Sequence, residues 1–129
     1  MASSNEFGKR LRELRLERNL TQRELADTVS ARLRESNQGS FDFTYLSKIE
    51  NGKLSPPSTT TILQLAAVLR ANADELLALA GKAPPDLGDA LKQSQGARTF
   101  FRSAKDLGLS EQDWQVLLDA MKRRKSEGP

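Results

Sequence analysis

Thr44-Tyr45-Leu46-Ser47-Lys48-Ile49-Glu50-Asn51-Gly52-Lys53 reads as one short helix and its stop. Tyr45, Leu46 and Ile49 supply apolar positions at helical spacing, Asp42 offers an N-cap, and Asn51-Gly52 reverses the chain at the far end. Upstream, Leu20-Thr21-Gln22-Arg23-Glu24-Leu25-Ala26 opens another helix. Thr21 followed three residues later by Glu24 is a capping box, in which the hydroxyl and the carboxylate each satisfy an orphan amide.

The same reasoning extends outward from this pair. Phe7, Leu11 and Leu14 share one face of a first helix from Glu6 to about Arg18, which Asn19 can close in a left-handed conformation. Leu25, Ala26, Val29 and Leu33 carry helix two to about Arg34, before the polar loop Glu35-Ser36-Asn37-Gln38-Gly39-Ser40. After Pro56-Pro57, Ser58 caps a fourth helix whose buried face is Ile62, Leu63, Leu65, Ala66 and Leu69. Asn72 with Glu75 forms a capping box for a fifth, in which Leu76, Leu77, Leu79 and Ala80 are apolar and Gly81 is the stop.

Lys82-Ala83-Pro84-Pro85 reads as a domain boundary, since two prolines do not extend a helix and the stretch has little to pack. The expected organisation is all-α: a five-helix domain over residues 1–82 and a helical carboxy-terminal module over residues 86–125. That module has a short helix from Asp86 to Gln93, another from Ala97 to Leu107, and a last one capped by Ser110 with Asp113 and running to about Lys125. Ser126 to Pro129 reads as a frayed tail. Phe100, Phe101, Trp114, Leu117, Leu118 and Met121 admit three readings: the core of a small subdomain, a dimer interface, or a ligand pocket. A module of about 40 residues rarely buries enough surface to stand alone, so it is expected to pack on the first domain or on its twin; dimerisation is favoured, with regulation as the other role. The run Lys122-Arg123-Arg124-Lys125 is the basic helix end that the helix dipole favours.

Composition removes most chemistry. The 129 residues include no cysteine and no histidine, so disulfides, thiol nucleophiles, Cys/His zinc sites and imidazole acid-base catalysis are excluded. The 17 acidic residues are interspersed with basic ones at helical spacing, the pattern of solvated faces, and no enzyme activity, cofactor or metal is expected. A net charge of +3 leans weakly towards nucleic acid. Residues 1–55 hold ten Lys or Arg against eight Asp or Glu, so any phosphate-binding surface must come from arrangement on the fold. No apolar run approaches the roughly 20 residues that span a bilayer, and Met1 to Glu6 lack the features of a signal peptide, so a cytoplasmic location away from membranes is the default.

Five short helices in this order resemble the Xre family, also called the Cro and phage-repressor helix-turn-helix family. The resemblance covers about Phe7 to Gly81 and rests on four elements. They are the Thr-Gln start of helix two, the Ile-Glu-Asn-Gly ending of helix three, the proline after it, and the Leu-rich helices four and five. It implies a helix three whose amino-terminal half meets base edges in the major groove, and a helix two lying across the DNA backbone. By position in the family motif, Phe43, Thr44, Ser47 and Lys48 would face the groove. Lys48 could donate to guanine O6 or N7, and Phe43 or the Thr44 methyl could contact a thymine methyl. Gln22 and Asn51 would touch phosphates, helped by Arg23 and Lys53. Arg15 and Glu50 would form the buried ion pair that the family places between helix one and the Glu-Asn-Gly turn.

The chain departs from the family in one place. It has 19 residues between Ala26 and Leu46, where the family has about nine, so the turn is not tight. Arg32, Arg34 and Gln38 could approach the DNA backbone or a partner there. Equally, the segment could be a tolerated surface insertion. The functional expectation is a sequence-specific, double-stranded-DNA-binding transcriptional regulator: a dimeric repressor on a palindromic operator, with room for a regulatory protein partner. The competing expectation is a protein-binding module, such as an antitoxin or adaptor, that uses the helix-turn-helix mainly as scaffold.

Overall fold

The computed structural model describes residues 3–127, and all regular structure among them is helical. Two compact units divide the chain, Met1–Pro84 and Pro85–Pro129. No helix among the described residues is long and apolar enough to cross a membrane.

The first unit comprises α1 (Ser3–Glu17), α2 (Gln22–Glu35), α3 (Phe43–Glu50), α4 (Thr59–Leu69) and α5 (Ala73–Leu79). Its helices begin where side chains can satisfy free amides. Thr21 and Glu24 form the reciprocal capping box of α2, Asp42 accepts from the Tyr45 amide at α3, and Ser58 accepts from the Thr61 amide at α4. At α5 only half of the expected box is present. Asn72 accepts from the Glu75 amide, while the Glu75 carboxylate lies 3.4 Å from Arg10 Nε of α1. The stops are left-handed residues: Asn19, Gly52, Arg70 and Gly81 all have positive φ.

These helices enclose one core. Phe7, Leu11, Leu25, Leu33, Leu46, Ile49, Ile62, Leu65, Leu69, Leu76 and Leu77 are each at most 1% exposed. α3 packs on α1 and α2, α2 on α4, and α5 returns from α4 to α1. Leu63 departs from the expected buried face of α4. It is 37% exposed, because Ile62, Leu65, Ala66 and Leu69 already complete the stripe at steps of three and four. Arg18 Nε donates to the Leu69 carbonyl at 2.8 Å, tying the end of α4 to the end of α1.

Gly8 fixes how closely α1 approaches the end of α3. A Cβ there would overlap the Ile49 carbonyl oxygen and sit 3.1 Å from that of Glu50. Those are backbone atoms, so relief requires moving a helix. Gly8→Ala gains about 1 kcal/mol in helix propensity but introduces an overlap worth about 1 to 3 kcal/mol or more. The expected outcome is a net loss of stability in urea melts, with α3 displaced.

The second unit comprises α6 (Pro85–Gln93), α7 (Gln95–Leu107) and α8 (Glu111–Glu127). α6 starts one residue before the expected Asp86, since proline suits the first helical position. α7 starts two before Ala97, because the Ser94 hydroxyl accepts from the Ala97 amide. Ser110 and Asp113 form the reciprocal cap of α8, and the Ser110 amide, then its hydroxyl, hold the Asp113 carboxyl below its usual range. α8 reaches Glu127, so Ser126 and Glu127 are helical where a frayed tail was expected; Gly128 and Pro129 lie outside the described residues.

Of the described hydrophobic residues in this unit, only Ala104 is buried. Phe100 stacks edge-on with Phe101 and Trp114 at centroid distances of 5.3 and 6.4 Å, yet all three rings are at least 40% exposed. Phe100, Ala104, Leu107 and Leu117 help to line a groove of about 510 Å³. A self-sufficient core is therefore not what these apolar residues form.

Candidate nucleic-acid interface

α3 has eight residues and two sides. Leu46 and Ile49 are fully buried and Tyr45 packs on the core beside them. Phe43, Thr44 and Lys48 are exposed and Ser47 is half-buried. At 3.6 residues per turn, Phe43, Ser47, Thr44 and Lys48 occupy a continuous arc of about 140°. The fold thus brings these four side chains onto one outward face, with exposed Asn51 and Lys53 following at the carboxy end.

A buried ion pair holds that helix from behind. Arg15 Nε donates to Glu50 Oε2 at 2.8 Å and Nη2 to Glu50 Oε1 at 2.9 Å, a bidentate fork on side chains 9% and 1% exposed. Arg15 Nη1 also donates to the Leu20 carbonyl at 2.9 Å, just before α2. One guanidinium therefore joins α1, the entry to α2 and the end of α3. Gln22, the first residue of α2, adds Nε2 as a third donor to Glu50 Oε1 at 3.0 Å. An amide NH2 carries two hydrogens, so the second Nε2 proton of Gln22 remains available to another acceptor.

Arg23 and Phe43 also meet across α2 and α3. The Arg23 guanidinium carbon lies 4.4 Å from the centre of the Phe43 ring, a cation–π stack on the exposed surface. Phe43 is 38% exposed. Among the described residues, no hydrogen bond engages the Arg23 guanidinium, so its donors are open to another acceptor.

The long connection is more structural than its polar sequence indicates. Phe41 is 1% exposed within the core and meets Tyr45 edge-on at 5.2 Å. Buried Ser30 clamps its backbone: Ser30 Oγ accepts from the Phe41 amide at 2.8 Å and donates to the Phe41 carbonyl at 2.5 Å. Asn37 turns left-handed, and the Gln38 amide bonds the Leu33 carbonyl at 2.8 Å to end α2. Arg32 Nε donates to Gln64 Oε1 of α4 at 2.6 Å, while Arg34 and Gln38 are exposed. A merely tolerated surface insertion is thus excluded for Ser30 and Phe41, which lie inside the core.

Comparison with known proteins agrees with this architecture. Residues 6–79 match the family described as a helix-turn-helix domain. The uncharacterized HTH-type transcriptional regulator RghRB of Bacillus subtilis (strain 168) is 33% identical over 120 residues, covering 86% of this chain and 79% of that protein. No solved structure matches the chain. With α2 and α3 packed on one another around a shared core, with residues 6–79 matched to the family and with a regulator of the same kind 33% identical over 86% of the chain, the chain belongs to the helix-turn-helix transcriptional regulators.

Proposed function

We propose that this protein is a sequence-specific double-stranded-DNA-binding repressor of the Xre type, acting as a dimer on a palindromic operator. The observation that carries the reading is the outward arc of Phe43, Thr44, Ser47 and Lys48 on a short helix pinned from behind. A groove-reading helix needs short and long polar side chains facing out and an immovable back, because each bidentate or methyl contact tolerates little misplacement. Gln22, Arg23, Asn51 and Lys53 surround the arc with donors for phosphates. The free amides of the first turn of α2 favour the same anions. Repression by occlusion asks only for tight operator binding.

Two half-sites give a dimer the discrimination that one arc lacks, and the exposed apolar residues of the second unit are the surface offered for pairing. Selecting sites from a random duplex pool tests the reading. The expected result is a palindromic consensus with half-sites about 34 Å apart or a multiple of it. Uniform weak binding without a consensus would favour the adaptor reading instead.

Lys48 and Lys53 separate base reading from positioning. Lys48→Ala is expected to remove about 1 to 3 kcal/mol of discrimination at one base pair while other positions keep theirs. Lys53→Ala should weaken all sequences alike and reduce the slope of log affinity against log salt by about 1. Competition binding over a set of point-substituted operators at several salt concentrations measures both.

A further inference from the structure

Trp114, Leu117, Leu118 and Met121 fall at steps of three and four along α8 and form one stripe, 38 to 59% exposed. Charges flank it in a particular order. At about 100° per residue, Glu111 and Lys122 lie along one flank and Asp113 and Arg124 along the other. Each flank is acidic toward the amino end and basic toward the carboxy end. Among the described residues, no salt bridge engages any of these four side chains.

We infer that α8 pairs with α8 of a second copy, antiparallel, about a two-fold axis passing between Leu117 and Leu118. The inference rests on the dimer proposed above and specifies its interface. A two-fold perpendicular to two antiparallel helices sets each flank against the same flank of the other copy, reversed in direction. Only a flank that runs from acid to base is then self-complementary. Glu111 meets Lys122 of the second copy, and Asp113 meets its Arg124. The same axis sets Leu117 against Leu118 and Trp114 against Met121, closing the apolar stripe on itself.

A parallel pair would place acid beside acid and base beside base. The helix dipole alone favours acids first and bases last on any helix. It gives no reason for the midpoints of the two charged pairs to fall one residue either side of the centre of the apolar stripe. Self-complementarity of charge and apolar order about one point is a requirement of pairing with a second copy, and of no other occupant.

The absence of cysteine makes the test direct, since an introduced thiol is the sole one in its chain. Full-length Glu111→Cys and Lys125→Cys variants, mixed under mild oxidation, are expected to form a disulfide-linked dimer. Each variant alone is expected to form none, because like positions lie about 20 Å apart along the helix pair and a disulfide spans about 4.4 to 6.8 Å between Cα atoms. Cross-linking of either variant to itself overturns the antiparallel register. Absence of any cross-link in a protein that sediments as a dimer overturns α8 as the interface and leaves the dimer standing. A wild-type chain that is monomeric at every concentration overturns the dimer itself. Lys122→Glu is expected to raise the dimer dissociation constant about tenfold at low salt, and adding Glu111→Lys to restore it. Failure of that rescue overturns the charge pairing.

Discussion

Glu50→Ala is expected to cost the first unit about 3 to 5 kcal/mol, because it leaves the guanidinium of Arg15 buried without its counter-charge. The Glu50 carboxylate accepts from Arg15 Nε, Arg15 Nη2 and Gln22 Nε2, so its loss strands the two buried guanidinium donors and releases the half-buried Gln22 amide. A domain of this size is stable by about 5 to 15 kcal/mol, so the variant keeps a small margin. Thermal unfolding should show it as a fall in Tm of at least about 12 °C.

The loss belongs to an uncompensated charge, and a second variant isolates that cause. Arg15→Met combined with Glu50→Leu removes both charges and fills the space, and is expected to recover most of the stability. The double variant also separates folding from DNA contact. Glu50 is 5% exposed on the buried side of α3, so operator affinity measured where both proteins are folded should fall only to the extent that α3 shifts. Gln22 adds a refinement. With Glu50 gone its amide is no longer held, and any phosphate contact made by its second proton becomes looser. A stable double variant whose affinity falls alike on all sequences at an unchanged salt slope would place Gln22 on the backbone; unchanged affinity would confine it to the internal network.

The parts of this architecture written in neighbouring residues were legible in the sequence. Thr21 with Glu24, Asp42, Ser58, and Ser110 with Asp113 announce helix starts because a cap acts over three residues, and the fold uses each as expected. Asn19 and Gly81 mark stops for the same reason. What was not legible depends on residues distant in the chain. Gly8 matters because it faces the carbonyls of Ile49 and Glu50, although a glycine on the apolar side of a helix, between Phe7 and Leu11, was a signal that could have been read. The start of α7 was hidden because Gln95 and Gly96 carry no helical pattern, and only the Ser94 cap reveals it. Leu63 looks like core by hydrophobicity alone, and which leucine of α4 turns outward is decided by neighbours on α2 and α5. The apolar side of α3 follows from periodicity and its outward arc came from the family resemblance, whereas the meeting of Arg23 with Phe43 and of Gln22 with Glu50 depends on how α2 packs on α3.

Phe41 is the sharpest case of a role that periodicity hides, and its removal is the second large expected effect. A single aromatic beside a polar loop has no repeat to place it, yet Phe41 is buried among α2 and α3 residues and stacks on Tyr45. Phe41→Ala should cost about 3 to 5 kcal/mol through lost burial and the cavity left behind, whereas a true surface insertion would lose no more than about 0.5 kcal/mol. Urea melts of the full chain distinguish the two. Ser30→Ala attacks the same anchor from the other side: it removes the hydroxyl that serves both the Phe41 amide and the Phe41 carbonyl, and should cost about 1 to 3 kcal/mol for the unpaired backbone groups. Because the hydroxyl holds the backbone that carries the ring, the two losses should fall short of adding in the double variant. Gln38→Ala and Ser40→Ala, on exposed positions of the same connection, should change stability by less than about 0.5 kcal/mol. That contrast also bears on function. Phe41 precedes the N-cap of α3 by one residue, so the buried ring fixes where that helix begins, and within the long connection Phe41 acts from inside the core.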